Sequence, residues 1–186
     1  MASTVTIHMA MSLDGFIAKH DGTTAWFETS DRYEQGVGYG DVEAFLAAID
    51  CYVMGSATYE LALRLGWVYG DKPTVVLTSR QLEATRESVS FRGGDLAEVL
   101  KSLRSRYGNI WLVGGAQVAG ECLRRGLADA LRVSVLPVSL GDGVPLLGGR
   151  EHEQPLHLKE VIGYENGVVG LWYEVVKSWP GTSASE

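Results

Sequence analysis

Cysteine is scarce in this chain: Cys51 and Cys122 are the only two in 186 residues, each sits inside an apolar segment, and neither belongs to a C-x-x-C pair. That pattern excludes a zinc ribbon or a disulfide framework and predicts two buried free thiols. The four histidines, His8, His20, His152 and His157, show no metal-ligand spacing, so no metal site is expected. Long apolar runs are missing as well. Runs such as residues 110–113 and 133–138 fall far short of the roughly 20 residues that cross a bilayer. Residues 1–11 lack a basic start followed by an apolar stretch, so they read as the first strand of the mature fold, and a cytoplasmic setting is expected. Positive charge is in deficit, with 16 Lys plus Arg against 23 Asp plus Glu and a net charge of −7. Affinity for a phosphodiester backbone grows with the cations set against it, so a nucleic-acid partner is disfavoured. No G-x-x-x-x-G-K-[ST] phosphate loop occurs, which leaves nucleotide triphosphate hydrolysis without support.

What is present suits one folded domain. Hydrophobic residues make up 46% and charged residues 21%, ordinary proportions for a globular protein. Residues 1–177 read as a single domain, and 178–186, small, polar and carrying Pro180 and Gly181, as a flexible tail. Apolar strand-like segments at 5–11, 51–54, 74–78, 110–113 and 131–138 alternate with helical patterns at 42–49, 58–65, 96–103 and 116–125. Asp41 and Asp95 stand where helix N-caps belong, and Gly108 and Gly126 where two helices should close. Residues 156–164 and 168–176 flank Asn166-Gly167, a strong hairpin signal. The order predicts an α/β fold: a mostly parallel central sheet flanked by helices, with an antiparallel C-terminal hairpin. In such sheets small ligands bind at the strand ends.

Glycine is abundant, 23 residues, close to double the roughly 7% average. The informative pair is Gly114-Gly115, between a buried strand and a helix that begins at Ala116. Backbone amides there can approach a ligand closely, and a helix start favours phosphate. A tight turn with no ligand is the equally simple account. Gly36-Val37-Gly38-Tyr39-Gly40 mimics a dinucleotide fingerprint but has the wrong spacing and no preceding strand, so it reads as a flexible loop. Thr78, Ser79 and Arg80 end a strand with two hydroxyls and a cation, able to hold a ribose or phosphate, or simply to form a solvated turn. Asp41 could donate a proton or only cap its helix. His8 reads as a packed side chain.

Five segments taken together resemble the dihydrofolate reductase superfamily, and within it the reductase domain of riboflavin biosynthesis. They are Ala10-Met11-Ser12-Leu13-Asp14-Gly15-Phe16-Ile17-Ala18, Val53 through Glu60, Val75 through Arg80, Val113-Gly114-Gly115-Ala116-Gln117, and Gly126 through Arg132 followed by Leu136 through Gly143. The resemblance spans about residues 4–177 and implies a dihydrofolate-reductase-like fold and NADPH as hydride donor. It places Val113, Gly114, Gly115, Ala116, Gln117 and Val118 at the pyrophosphate and nicotinamide ribose, with a cis peptide joining Gly114 and Gly115. It sets Gly55, Ser56, Ala57 and Thr58 along the phosphates, Leu77, Thr78, Ser79 and Arg80 around the adenosine ribose, and Ala10 and Ile17 beside the nicotinamide. Trp26 would lie on the loop that covers the ring. Asp41, Phe45 and Ser134 match the acid, a pterin-packing aromatic and a supporting hydroxyl.

The implied activity is reduction of a planar pyrimidine- or pterin-like heterocycle, like that of 5-amino-6-(5-phosphoribosylamino)uracil reductase or dihydrofolate reductase, by a homodimer. Lys72 departs from the pattern: folate reductases carry an arginine there to grip the substrate's tail, and a lysine offers no bidentate fork. The zinc deaminase signature that often accompanies the riboflavin enzymes is missing. The alternative is a non-catalytic NADP-binding regulatory protein that kept only the cofactor groove.

Overall fold

The structure is a computed structural model that describes residues 3–23, 25–148 and 153–177; the segment 178–186, expected to be a flexible tail, lies outside them. The chain runs β1 (Thr4–Ser12), β2 (Phe16–Ala18), a 3-10 turn (Ala25–Phe27), α1 (Gly40–Ala48), β3 (Cys51–Gly55), α2 (Ser56–Arg64), β4 (Thr74–Leu77) and β5 (Val89–Arg92). It continues through α3 (Leu96–Arg104), β6 (Asn109–Gly114), α4 (Ala116–Arg124), β7 (Ala130–Leu136), β8 (Val144–Pro145), β9 (Leu156–Gly163) and β10 (Val169–Val175). Eight strands form one sheet in the order β5-β4-β3-β6-β1-β7-β10-β9, while β2 and β8 pair separately. All neighbours are parallel up to β7; β10 then runs antiparallel to both β7 and β9. This is the sheet expected from the sequence. Strand β5 escaped it, because Val89-Ser90-Phe91-Arg92 is short and only Val89 is fully buried.

The central strands are apolar on both faces because both faces are covered. On one, Val5, Ile7, Ile110 and Leu112 pack under α3 and α4 with Leu100, Ala119 and both cysteines. Burial pushes each thiol up to about 12, so both stay protonated and inert. On the other, Tyr52, Met54 and Val76 meet Tyr59, Ala62 and Trp67. A third cluster, Trp26, Leu136, Tyr164 and Val168, sits beneath the loop before α1.

Local signals explain the helix ends. Asp95 caps α3 by accepting from the Ala97 and Glu98 amides at 2.9 and 3.3 Å. Gly126, at φ +62°, closes α4, with its own N–H on the Leu123 carbonyl and the Leu127 N–H on that of Cys122. Three expectations need correction. Asp41 is not an N-cap: α1 begins one residue earlier behind Tyr39, which makes no side-chain cap bond, and Asp41 turns to distant partners instead. Gly108 does not close α3, which ends at Arg104; its carbonyl instead accepts from Thr4 at the foot of β1. The glycine-rich segment 36–40 is docked rather than loose, because the Val37 amide and carbonyl bond Gly163 and Glu165, and a Cβ on Gly36 would sit 2.5 Å from the Glu165 backbone.

Candidate functional site

Strand order brings the predicted cofactor segments together. Gly55 on β3 is level with Leu77 on β4, and Met54 with Gly114 on β6, so the turn at 77–80, the α2 start and the α4 start lie side by side along the sheet's carboxyl edge. Gly55 comes close enough that a Cβ on it would touch Val118 at 3.4 Å and lie 3.8 Å from the Gly115 nitrogen. Gly114 must be glycine: its φ is +125°, and a Cβ would meet the Met9 methyl at 3.1 Å. The peptide between Gly114 and Gly115 is cis. The caps of α2 and α4 are Gly55 and Gly115, and neither helix start receives a side-chain cap bond. Two neighbouring helices thus present uncapped first-turn amides, where α3 spends a carboxylate on its own. These residues suit a pyrophosphate in both space and charge. Beyond β4, Arg80 is held at 2.6 Å by Glu60 of α2, and its amide bonds the Thr78 hydroxyl.

Beside these helix starts opens a cleft of about 470 Å³. Of the expected residues, Ala10, Ile17, Trp26, Ala57, Thr58, Val113, Gly115 and Ala116 line it. Sequence reasoning missed Leu61, Leu65, Tyr69 and Trp111, which also do; nothing in their spacing distinguishes them from core residues. The turn between β1 and β2 is tied down through Asp14, which accepts from the Ser12 and Ser139 hydroxyls and the Leu140 and Gly141 amides at 2.6–3.1 Å. Those bonds, the Ser12 one foremost, hold its carboxyl well below the usual range. The Ser-Leu-Asp-Gly motif is therefore a lock on the β1–β2 turn.

Asp41, Phe45 and Ser134 are not among the cleft's lining residues but gather behind it. Asp41 accepts from the Tyr164 hydroxyl at 2.8 Å and from Arg132 at 3.3 Å. Burial and that bond push Tyr164 above its ordinary value. The Arg132 guanidinium lies 4.6 Å over the Phe45 ring. Between this group and the cleft stands His8, which lines both the cleft and a cavity of about 10 Å³ shared with Arg132, Ser134 and Tyr164. Its imidazole stacks on Trp111 and meets Phe45 edge-on, each at 5.2 Å, with Nε2 3.2 Å from the Ser134 hydroxyl. Burial, then the Arg132 charge, lowers its pKa to about 4, against a smaller opposing effect of Asp41. Lys72 is not among the cleft's lining residues: its ammonium donates to the carbonyls of Leu46, Ala47 and Ile49 at the end of α1.

Residues 3–169 match the RibD C-terminal domain family. The chain belongs to that family. The uncharacterized protein YwjB of Bacillus subtilis (strain 168) is 33% identical over 162 residues, covering 86% of this chain and 91% of YwjB. A candidate riboflavin biosynthesis protein from Shewanella sp. PV-4 shares the fold with a TM-score of 0.80 at 26% identity, over 95% of this chain and all of that one. Dihydrofolate reductase from Enterococcus faecalis, solved with NADP(H), superposes with a TM-score of 0.60 at 18% identity, over 94% of this chain and 99% of its own. The RibD-type domain here is thus a dihydrofolate-reductase-like, reductase-type fold. Among its described residues no helix is long and apolar enough to cross a membrane, and no cluster of potential metal ligands occurs.

Proposed function

We propose that the protein is an NADPH-dependent reductase of a small planar pyrimidine- or pterin-like heterocycle, working as a homodimer in the cytoplasm. The observation that carries this reading is the pair of glycine-capped helix starts, at Gly55 and Gly115, opening beside one aromatic-walled cleft. The first-turn amides of α2 and α4, with Ser56, Thr58, Gln117 and Val118, hold the pyrophosphate. Leu77, Thr78, Ser79 and Arg80 surround the adenosine ribose, and Arg80 pairs with its 2′-phosphate. Ala10, Ile17 and Val113 flank the nicotinamide, which supplies the hydride when bound. Trp26, buried at the cleft wall, excludes water. Asp41, with Phe45 and Ser134, serves the substrate side, Asp41 holding charge and proton balance from behind the cleft through Arg132 and Tyr164.

Strand β9 supports the dimer. It is the sheet's outer edge, with Leu158 and Val161 exposed on either side of Lys159 and Glu160. An antiparallel pairing with β9 of a second copy sets each lysine against the other's glutamate. Sedimentation at micromolar concentration should give twice the 20.2 kDa chain mass, and a monomer throughout would remove the dimer from the reading.

The decisive experiment titrates NADPH and NADH separately, then follows absorbance of the reduced cofactor with pterins, pyrimidines and the riboflavin-pathway aminouracil. NADPH should bind at least about tenfold more tightly than NADH, as expected for one charge-assisted contact, and Arg80→Ala should erase the difference. Equal affinities would refute the 2′-phosphate assignment. Tight NADPH binding without turnover of any compound would leave the regulatory, non-catalytic reading in its place.

A further inference from the structure

We infer that Glu60 sets how strongly the protein prefers NADPH over NADH: it holds the Arg80 guanidinium in place for the cofactor's 2′-phosphate and opposes that phosphate with its own charge. This inference rests on the reductase reading and deepens its cofactor side. Among the described residues Glu60 is the one ion-pair partner of Arg80, its Oε1 accepting from Nη2 at 2.6 Å. Leu77, Thr78 and Ser79 are neutral, so Arg80 is the only cation that the turn after β4 offers. The pairing is not the one that α2 by itself favours. Arg64 follows Glu60 by four residues on that helix, the spacing and direction of a stabilising in-helix pair. Yet Glu60 forms no ion pair with Arg64 among the described residues and reaches Arg80 instead, 20 residues on. The first turn of α2 carries no acidic residue, which makes Glu60 the first carboxylate along the helix whose amides form the cradle.

Two opposed effects follow from that contact. A guanidinium presents its N–H donors in a rigid planar fork. Glu60 engages Nη2 alone, so another edge stays open to a phosphate while the first is fixed. The Arg80 amide also donates to the Thr78 hydroxyl at 3.0 Å, which steadies the turn beneath the side chain. An arginine held in this way loses less rotamer freedom on binding, which favours the ligand. The opposing effect is Coulombic. A 2′-phosphate on the open edge shares one guanidinium with a carboxylate, and like charges that close repel. The two side chains are 56% and 39% exposed, so water and salt reduce the repulsion to a moderate penalty. NADH has no 2′-phosphate and meets neither effect. Glu60 therefore leaves the protein with a shallower preference for NADPH than Arg80 would give without it.

The test titrates NADPH and NADH into the parent, Glu60→Gln, Glu60→Ala and Arg80→Ala by calorimetry at low salt. Glutamine keeps an oxygen that can accept from Arg80 and removes the charge. Glu60→Gln should bind NADPH about fivefold more tightly than the parent does, with NADH within about twofold of its parent value. Glu60→Ala loses the charge and the hold together, so its gain should be smaller. At about 0.5 M salt, where the Debye length is about 4 Å, the gain in Glu60→Gln should shrink toward nothing. A Glu60→Gln protein that binds NADPH no better than the parent, a gain shared equally by NADH, or a gain undiminished at high salt would each overturn the inference. Glu60→Ala matching Glu60→Gln would strike the holding role. Arg80→Ala tells the two failures apart. If it erases a preference for NADPH that Glu60→Gln leaves unchanged, the 2′-phosphate assignment stands and the role of Glu60 falls; if the parent prefers neither cofactor, the assignment itself falls.

Discussion

Lys72→Met should loosen one helix and leave the cofactor site alone. Helix α1 buries none of its residues fully, so little apolar packing holds it. Its C-terminal end is fastened instead by the Lys72 ammonium, whose three protons go to Leu46, Ala47 and Ile49 at 2.9, 3.1 and 2.6 Å. A cation at a helix C-terminus contributes about 0.3–1 kcal/mol. A hydrogen bond to a charged group has a net worth of about 1.5–3 kcal/mol when buried, and less here because two of the three bonds are exposed. Together they amount to roughly 2 kcal/mol. Methionine keeps the stem and removes all three bonds. Native-state hydrogen exchange should then show the amides of α1 opening about 30-fold faster, since ~1.4 kcal/mol is a factor of ten. If α1 unfolds only with the whole domain, the same loss lowers Tm by ~5 °C. Unchanged protection in α1 with an unchanged Tm would refute the anchor. A fall in substrate binding with full protection retained would restore Lys72 to the substrate side, where its family position puts it.

Two further outcomes test the packing and the electrostatics. Gly36→Ala should lower Tm by several degrees, because its Cβ has the Tyr164 and Glu165 backbones 2.5 Å away, whereas Gly38→Ala, with nothing within 4 Å, should be neutral; equal effects would contradict the docking of this segment. Stability should also fall as pH drops from about 6.5 to about 4. His8 has its folded pKa depressed to about 4, so the unfolded chain binds the extra proton throughout that window. The loss attributable to His8 is on the order of 3 kcal/mol. Urea midpoints across that range should slope less in His8→Asn than in the parent, and identical slopes would dispose of the buried neutral imidazole.

Local rules carried the sequence a long way. Alternating strand and helix periods, the Asp95 cap, the glycine after α4 and the Asn-Gly turn depend on neighbours a few residues apart, and each is where those rules put it. The juxtaposition of Gly55 with Gly114 and Gly115 follows almost as directly, since parallel strands that end in glycine-capped helices must gather those helices along one edge. Side-chain pairing across the sheet obeys no such local rule. Asp41 looked like a cap because only its own helix was in view; its partners lie 91 and 123 residues away. His8 looked like a packed ring until β7 brought Ser134, 126 residues on, against it. Lys72 resembled a displaced substrate grip until the end of α1 claimed its three protons. Periodicity and capping are properties of the chain, so most of the elements, their order and the paired glycines at the α2 and α4 starts were legible in the sequence alone. Which polar groups share a buried pocket is a property of the packed sheet, and only the tertiary structure decided that His8 lines the cleft while Asp41 stands behind it.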